Sequence, residues 1–139
     1  MDIPATQSLD KIELVEQQRE IQVLAARDRE ARAHEQAHAA VGGVYAGHPQ
    51  YQFTQGPNGV RYAHSGHVKI NVAPVADDPQ ATLEKMQTVA RAALAPAEPS
   101  AQDRSVAAKA NRQAAQARAE LAQQTQEQGS QILTSQKTS

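Results

Sequence analysis

A chain of 139 residues is long enough for one small domain, and the absence of cysteine excludes disulfides and thiolate metal sites. The formal net charge of -1 gives no electrostatic basis for binding nucleic acid or an anionic membrane, so we expect neither partner. Alanine supplies 27 residues, nearly half of the 40% hydrophobic share, so few large side chains are available for a core. No signal peptide is visible and no apolar run reaches the ~18 residues of a membrane span, so we expect a cytoplasmic protein.

The N-terminal segment is predicted to be a helix that extends from the rest of the domain. Residues 1–8 read as a flexible lead-in, and Ser8 or Asp10 is suited to cap the helix that follows. Apolar residues then recur at loose helical spacing up to residue 24. We assign 1–24 to an N-terminal helical extension, which either contacts a protein partner or is solvated.

Residues 25–40 form a second helical stretch, either continuous with the first or broken near Asp28, and it contains an H-E-x-x-H pattern at 34–38. Residues four apart lie on one face of a helix, so His34 and His38 can bind one metal ion. Glu35 lies beside them and is a candidate general base for a water molecule held by that metal. Without cysteine the ligands must be histidines or carboxylates, and the pattern predicts a Zn²⁺ site.

The central residues change from helical to strand patterns. Residues 51–54 and 60–63 alternate around a strong turn signal at 56–59, which predicts a hairpin. A second turn or a bulge is indicated at 65–66. Residues 67–72 alternate again, with the apolar side chains on one face. We therefore predict a three-stranded antiparallel meander.

Two further helices are predicted after the meander. Asp77-Asp78-Pro79 begins a packing helix, and a proline-containing linker ends it before residue 100. Ser100 and Asp103 suit the start of an alanine-rich helix that extends to about residue 124, with disorder predicted for 123–139. The predicted fold class is thus α+β, with a metal-binding helix, the meander, a packing helix and an extended C-terminal helix. The core would be 25–98, and the alanine- and glutamine-rich helix and tail 99–139.

A catalytic zinc needs a third protein ligand and an open position. We favour His67 as that ligand, because it begins the third predicted strand and faces away from the apolar side chains. His64 is the alternative and could instead contact the substrate or the transition state. A carboxylate is a further source of the ligand. His48, in a loop beside a proline, is expected to be solvated.

Tyrosine hydroxyls are candidates for stabilising a developing oxyanion. Tyr62 or Tyr45 could serve in this way, although packing in the core is the simpler expectation for both. Glu98 could orient a ligand histidine or could be a surface carboxylate at the end of a helix. The residues leave these alternatives open.

Several separated blocks together resemble the bacterial SprA-related family, catalogued among zinc metallopeptidases of the H-E-x-x-H type. They are residues 26–30, 34–40, 42–43, 45–47, 56–63 and 92–103. The resemblance implies a zinc-dependent peptidase. Family members usually carry Gly-Glu-Val where this chain has Gly66-His67-Val68. If the family glutamate is the third ligand, His67 exchanges one competent ligand type for another.

The predicted function is therefore hydrolysis of peptide bonds, with zinc held by His34, His38 and His67 and with Glu35 as general base. A peptide or protein substrate could add as a strand beside 51–54 or 67–72. The alternative is a non-catalytic zinc-binding or protein-interaction module that uses its helical ends.

Overall fold

The computed structural model describes residues 5–137, and their fold is α+β, as predicted. These residues form three α-helices, one 3₁₀ turn at Gly43–Tyr45 and one two-stranded antiparallel sheet. In chain order the helices and strands are α1 (Ala5–Gly42), β1 (Gln50–Gln55), β2 (Arg61–His67), α2 (Pro79–Ala93) and α3 (Ala101–Lys137). No helix in residues 5–137 combines the length and the apolar character that crossing a membrane requires.

Helix α1 is continuous, so neither the predicted cap nor a break near Asp28 is found. Ser8 and Asp10 lie inside the helix, and residues 5–8 of the predicted lead-in are helical; residues 1–4 lie outside the described part. The sequence from Asp10 to the H-E-x-x-H pattern is rich in strong helix formers, which explains why α1 is continuous. Side chains 8–20 are exposed, whereas Leu24 begins the buried face. The second half of α1 packs against β2 and α2.

The predicted hairpin is confirmed as β1 and β2. The Gly59 amide donates to the Gly56 carbonyl at 3.0 Å, and Gly59 has a φ of 80°, which favours glycine. Gln52 pairs with Ser65 while Phe53 pairs with Ala63, so β2 carries one extra residue between them. This β-bulge lies at position 64 and redirects the strand just before it reaches the H-E-x-x-H helix.

The predicted third strand at 67–72 is wrong. Strand β2 ends at His67, and the chain then makes a single antiparallel bridge between Ile70 and Ala46. Two backbone hydrogen bonds of 2.8 Å flank this bridge, Gly47 N–H to the carbonyl of residue 69 and residue 71 N–H to the carbonyl of residue 45. Ile70 and Val72 pack against the helical core. Ile70 and Val72 therefore face α2 and α3, and this segment does not extend the sheet.

The core lies between α2 and α3. Asp78 caps α2 by accepting a 2.9 Å hydrogen bond from the Ala81 amide, and Pro79 follows at the first turn, as predicted. Helix α2 contributes Met86 and Val89, both fully buried. Helix α3 contributes a row of buried alanines at spacings of three and four: Ala107, Ala110, Ala114 and Ala117. Small side chains on this face let the two helices approach closely.

Helix α3 also continues into the stretch 123–139 for which disorder was predicted, of which residues 138–139 lie outside the described part. It extends to Lys137, whereas the composition predicted an end near residue 124. Alanine, glutamine and leucine are all strong helix formers, and the helix tolerates the single Gly129. Apart from the half-buried Leu121, the described side chains after residue 117 are exposed. This part of the helix therefore extends beyond the core.

Candidate metal centre

The two histidines of the H-E-x-x-H pattern lie side by side on α1. Their Nε2 atoms are 3.3 Å apart. The His38 side chain is 4% exposed and the His34 side chain 26%. His38 Nδ1 lies 2.7 Å from the carbonyl oxygen of Ala92, which can only accept, so Nδ1 donates and Nε2 is the nitrogen that can bind a metal. This contact from α2 fixes the ring in the orientation that a metal ligand needs.

Asp103 joins the two histidines from the first turn of α3. One carboxylate oxygen, Oδ2, lies 3.0 Å from His34 Nε2, and the other, Oδ1, lies 3.1 Å from His38 Nε2. Ser100 fixes the position of Asp103 by a reciprocal cap: the Ser100 amide donates to Oδ2 at 2.9 Å, and the Asp103 amide donates to Ser100 Oγ at 3.0 Å. The backbone carbonyl of Ala92, which holds His38, comes from the preceding helix, so α1, α2 and α3 all meet here.

The surroundings keep the Asp103 carboxylate ionised. Burial alone would raise its pKa, but the backbone hydrogen bond from Ser100 and the neighbouring His38 outweigh burial, and the net pKa lies below the usual value. A carboxylate in the first turn of a helix is also favoured by the helix dipole. The group therefore offers one negative charge to a cation.

Within the part of the chain that the structure describes, His34, His38 and Asp103 form the one group of side chains able to hold a metal ion. Bonds of about 2.0–2.1 Å in a tetrahedral zinc site place neighbouring ligand atoms roughly 3.3 Å apart. The two Nε2 atoms, 3.3 Å apart, match this spacing, and each of them lies 3.0 or 3.1 Å from a different oxygen of the Asp103 carboxylate. One ligand atom from each of the three side chains lies within 4.8 Å of the others, so two imidazoles and one carboxylate are close enough together to share a cation.

Glu35 is buried beside the histidines, between α1 and β2, with only 5% of its surface exposed. Strand β2 passes over it at Gly66, where an added Cβ would lie 2.9 Å from Glu35 Cγ and 2.8 Å from the Gln50 carbonyl oxygen. Burial raises the pKa of Glu35, and the nearby His34 and His38 oppose this only in part. A carboxyl group with a raised pKa is a stronger proton acceptor once ionised.

The structure does not bring His67 into the metal-binding group. His67 is the exposed last residue of β2 and lines the same cleft as the three grouped side chains. His64 is exposed at the bulge and lines a second cleft together with Glu35 and Glu98. His48 is exposed, as expected. Because the chain leaves the sheet after β2, the side chain at position 67 is presented at the mouth of the cleft.

The tyrosines have structural contacts away from the histidines. The Tyr62 hydroxyl accepts a 2.9 Å hydrogen bond from Asn58 Nδ2 in the hairpin turn. Tyr45 packs against the helical core, with the Lys85 ammonium 5.4 Å from its ring centre. Both contacts agree with the simpler expectation that these rings serve packing.

Sequence reasoning assigned Asp103 to a helix cap and missed its proximity to the histidines. A signal was present. Asp103 lies four residues before Ala107, which lies three before Ala110, so Asp103 shares the helix face of the buried alanines of α3. A carboxylate on the buried face of a helix needs a partner. The nearest partners on the neighbouring elements are the two histidines.

Comparison with known proteins identifies the family. The model of the SprA-related family matches residues 4–139, so the chain belongs to this family. Neither the curated proteins nor the solved structures yielded a match. The family resemblance seen in the sequence is thereby confirmed, and the activity has to be argued from the site.

Proposed function

We propose that this member of the SprA-related family is a zinc-dependent peptidase with His34, His38 and Asp103 as metal ligands and Glu35 as general base. The observation that carries the proposal is the grouping of His34, His38 and Asp103, with one ligand atom of each within 4.8 Å of the others, beside the buried carboxyl group of Glu35. This assignment replaces His67 by Asp103 as the third ligand.

The ligand set favours zinc with a catalytic type of coordination. Three protein ligands leave one position of a tetrahedral site open, whereas structural zinc sites have four protein ligands. Zinc held there would act as a Lewis acid and lower the pKa of a water molecule towards neutrality. Asp103 offsets part of the cation's charge, and the Ala92 carbonyl orients His38.

Glu35 is proposed to move the proton. Its carboxylate would accept a proton from the attacking water and return it to the leaving amine. Its burial supports this role, since the carboxyl group is held beside the proposed ligands with only 5% of the residue exposed to water. The close approach of Gly66 restricts where the side chain can lie.

An extended peptide is the substrate that the surroundings favour. The cleft that contains the ligands has a volume of about 580 Å³, and Gly66 and His67 from the end of β2 line it. Strand β1 pairs with one edge of β2, and the other edge faces α1 at Ala63, where the Ala63 amide donates to Asp28 Oδ1 at 2.7 Å. Backbone groups of β2 beyond Ala63 could therefore pair with a peptide lying in the cleft.

The proposal is tested with the purified full chain, zinc and a mixed peptide library, by mass spectrometry of the products. We expect hydrolysis that a chelator stops and that added zinc restores. Glu35→Gln should abolish hydrolysis while zinc stays bound, and Glu16→Gln, on the exposed part of α1, should change neither. Hydrolysis that persists in the Glu35→Gln protein would refute the proposed mechanism.

The alternative is a non-catalytic zinc-binding module that contacts a protein partner through its helical ends. It is favoured by the exposed apolar side chains on the first half of α1, among them Leu9 at 61% and Leu14 at 58% exposure. On this alternative, zinc binds at the same three ligands and no library peptide is cleaved.

A further inference from the structure

The cleft beside the proposed ligands has an apolar wall. Four apolar side chains from different parts of the fold line it: Val68 and Ile70 from the segment after β2, Ala93 from α2 and Val106 from α3. The three larger ones are half-buried, and Ala93 is fully buried. The polar residues at the same end, His67 and Lys69, are exposed. These four side chains therefore form an apolar wall along one part of the cleft, beside the proposed ligands and the buried Glu35.

This wall lies next to the metal-binding group. Val106 comes one helical turn after Asp103 and so projects from the same face of α3. On the opposite side, Val68 follows shortly after Gly66, which packs over Glu35. The substituents of a molecule bound to a metal at this site could therefore contact the wall.

The neighbouring cleft lacks branched aliphatic side chains, because its apolar lining consists of alanines and Pro96. It shares His34, Glu35 and Gly66 with the first cleft, but charged side chains, including Arg27, line it. Two further carboxylates, Glu30 and Glu98, belong to the same lining. Burying an aliphatic side chain against the apolar wall is favourable, because apolar surface leaves water. Burying it in the neighbouring cleft would remove water from the charged side chains there, which is unfavourable.

We infer that the apolar wall is a specificity subsite, which binds the aliphatic side chain of the substrate residue next to the cleaved bond. The inference rests on the proposed peptidase function, because that function places the scissile bond at the metal. It assigns a substrate class: peptides with a valine-, leucine- or isoleucine-like residue at that position are preferred to those with glycine or a charged residue.

The test uses zinc-loaded full-length protein and straight-chain alkyl hydroxamates, from acetohydroxamate to hexanohydroxamate, with dissociation constants from isothermal titration calorimetry. Each added methylene should strengthen binding roughly threefold as it leaves water. Val68→Thr and Val106→Thr keep the shape of the wall but add a hydroxyl, so each should reduce this gain. Val60→Thr, in the exposed hairpin turn, is the matched control and should leave the gain unchanged.

A flat series in the wild-type protein, or an absence of binding, would overturn the subsite. If both wall variants keep the full increase in affinity per methylene, the subsite is also overturned. Two variants are used so that the test survives if one of them fails to fold. The two proposals fail in distinguishable ways. Zinc-dependent hydrolysis with a flat series removes only the subsite. A rising series with no Glu35-dependent hydrolysis removes the peptidase, and with it the assignment of the wall to a substrate residue, and leaves only an apolar binding surface beside the metal.

Discussion

Replacing Asp103 by asparagine isolates the charge of the third proposed ligand. Asparagine has the same shape and keeps a side-chain oxygen for the Ser100 amide, which donates to Asp103 Oδ2 at 2.9 Å. It loses the negative charge that lies 3.0 Å from His34 and 3.1 Å from His38. The cap should therefore survive, while the metal-binding group keeps only two strong ligands.

The expected loss in zinc affinity is at least about a hundredfold. Removal of groups that merely orient a ligand already costs 10–100-fold, so loss of a ligand's charge should reach or exceed the upper figure. This corresponds to about 2.7 kcal/mol of binding free energy. Ser100→Ala is the matched control, because it removes a capping hydrogen bond and leaves the carboxylate. It should cost about 1 kcal/mol of stability, with zinc affinity much less affected.

Zinc affinity is measured by competition with a chromogenic chelator, and stability by urea denaturation with the metal removed. His67→Ala is measured alongside and should change the affinity by much less than Asp103→Asn does. If the Asp103→Asn protein binds zinc as tightly as the wild type, the assignment of the third ligand is wrong. If His67→Ala causes the larger loss instead, the ligand expected from the sequence alone is the correct one.

Three further predictions concern the scaffold. Gly66→Ala should destabilise the fold by about 2 kcal/mol in thermal denaturation, because the new Cβ would meet Glu35 Cγ at 2.9 Å, and a neutral effect would contradict the packing described. Met86→Ala should cost about 3 kcal/mol, since Met86 is fully buried, and a cost below 1 kcal/mol in urea would count against this core. Asp28→Asn should cost about 1 kcal/mol at pH 7, because the hydrogen bond from the Ala63 amide holds the pKa of Asp28 below its usual value. That stability is present above the unfolded pKa and is lost as pH falls through the folded pKa, so the two proteins should converge in acid; a constant difference down to the lowest pH would refute the reasoning.

Local features were predictable from the sequence because each depends on residues a few positions apart. The four-residue spacing of His34 and His38 places both rings on one face of any helix that contains them. The turn signal between β1 and β2 and the Asp78 cap of α2 are equally local, and both are found where predicted. Helix ends were less predictable, because strong helix formers continue through the proposed start and stop positions.

The alternation at 67–72 shows where a local pattern stops being sufficient. Alternating apolar residues indicate an extended chain with one buried face, but not what covers that face. In the fold, Ile70 and Val72 meet the α2–α3 core, and the chain pairs only briefly with Ala46. The alternation at 67–72 correctly indicated one inward-facing side of an extended segment, but the prediction that this segment is a third strand of the sheet was wrong.

The sequence by itself determined the metal-binding helix, the hairpin and the family, since each is written in short motifs. Only the tertiary structure decided the third member of the metal-binding group. Asp103 lies 69 residues from His34 along the chain, and the sequence favoured His67, with His64 or an unspecified carboxylate as alternatives. Packing of the buried alanines of α3 against α2 sets where α3 begins in space, and the Ala92 carbonyl of α2 orients His38. The H-E-x-x-H pattern therefore specified two of the proposed ligands, and helix packing brought Asp103 beside them.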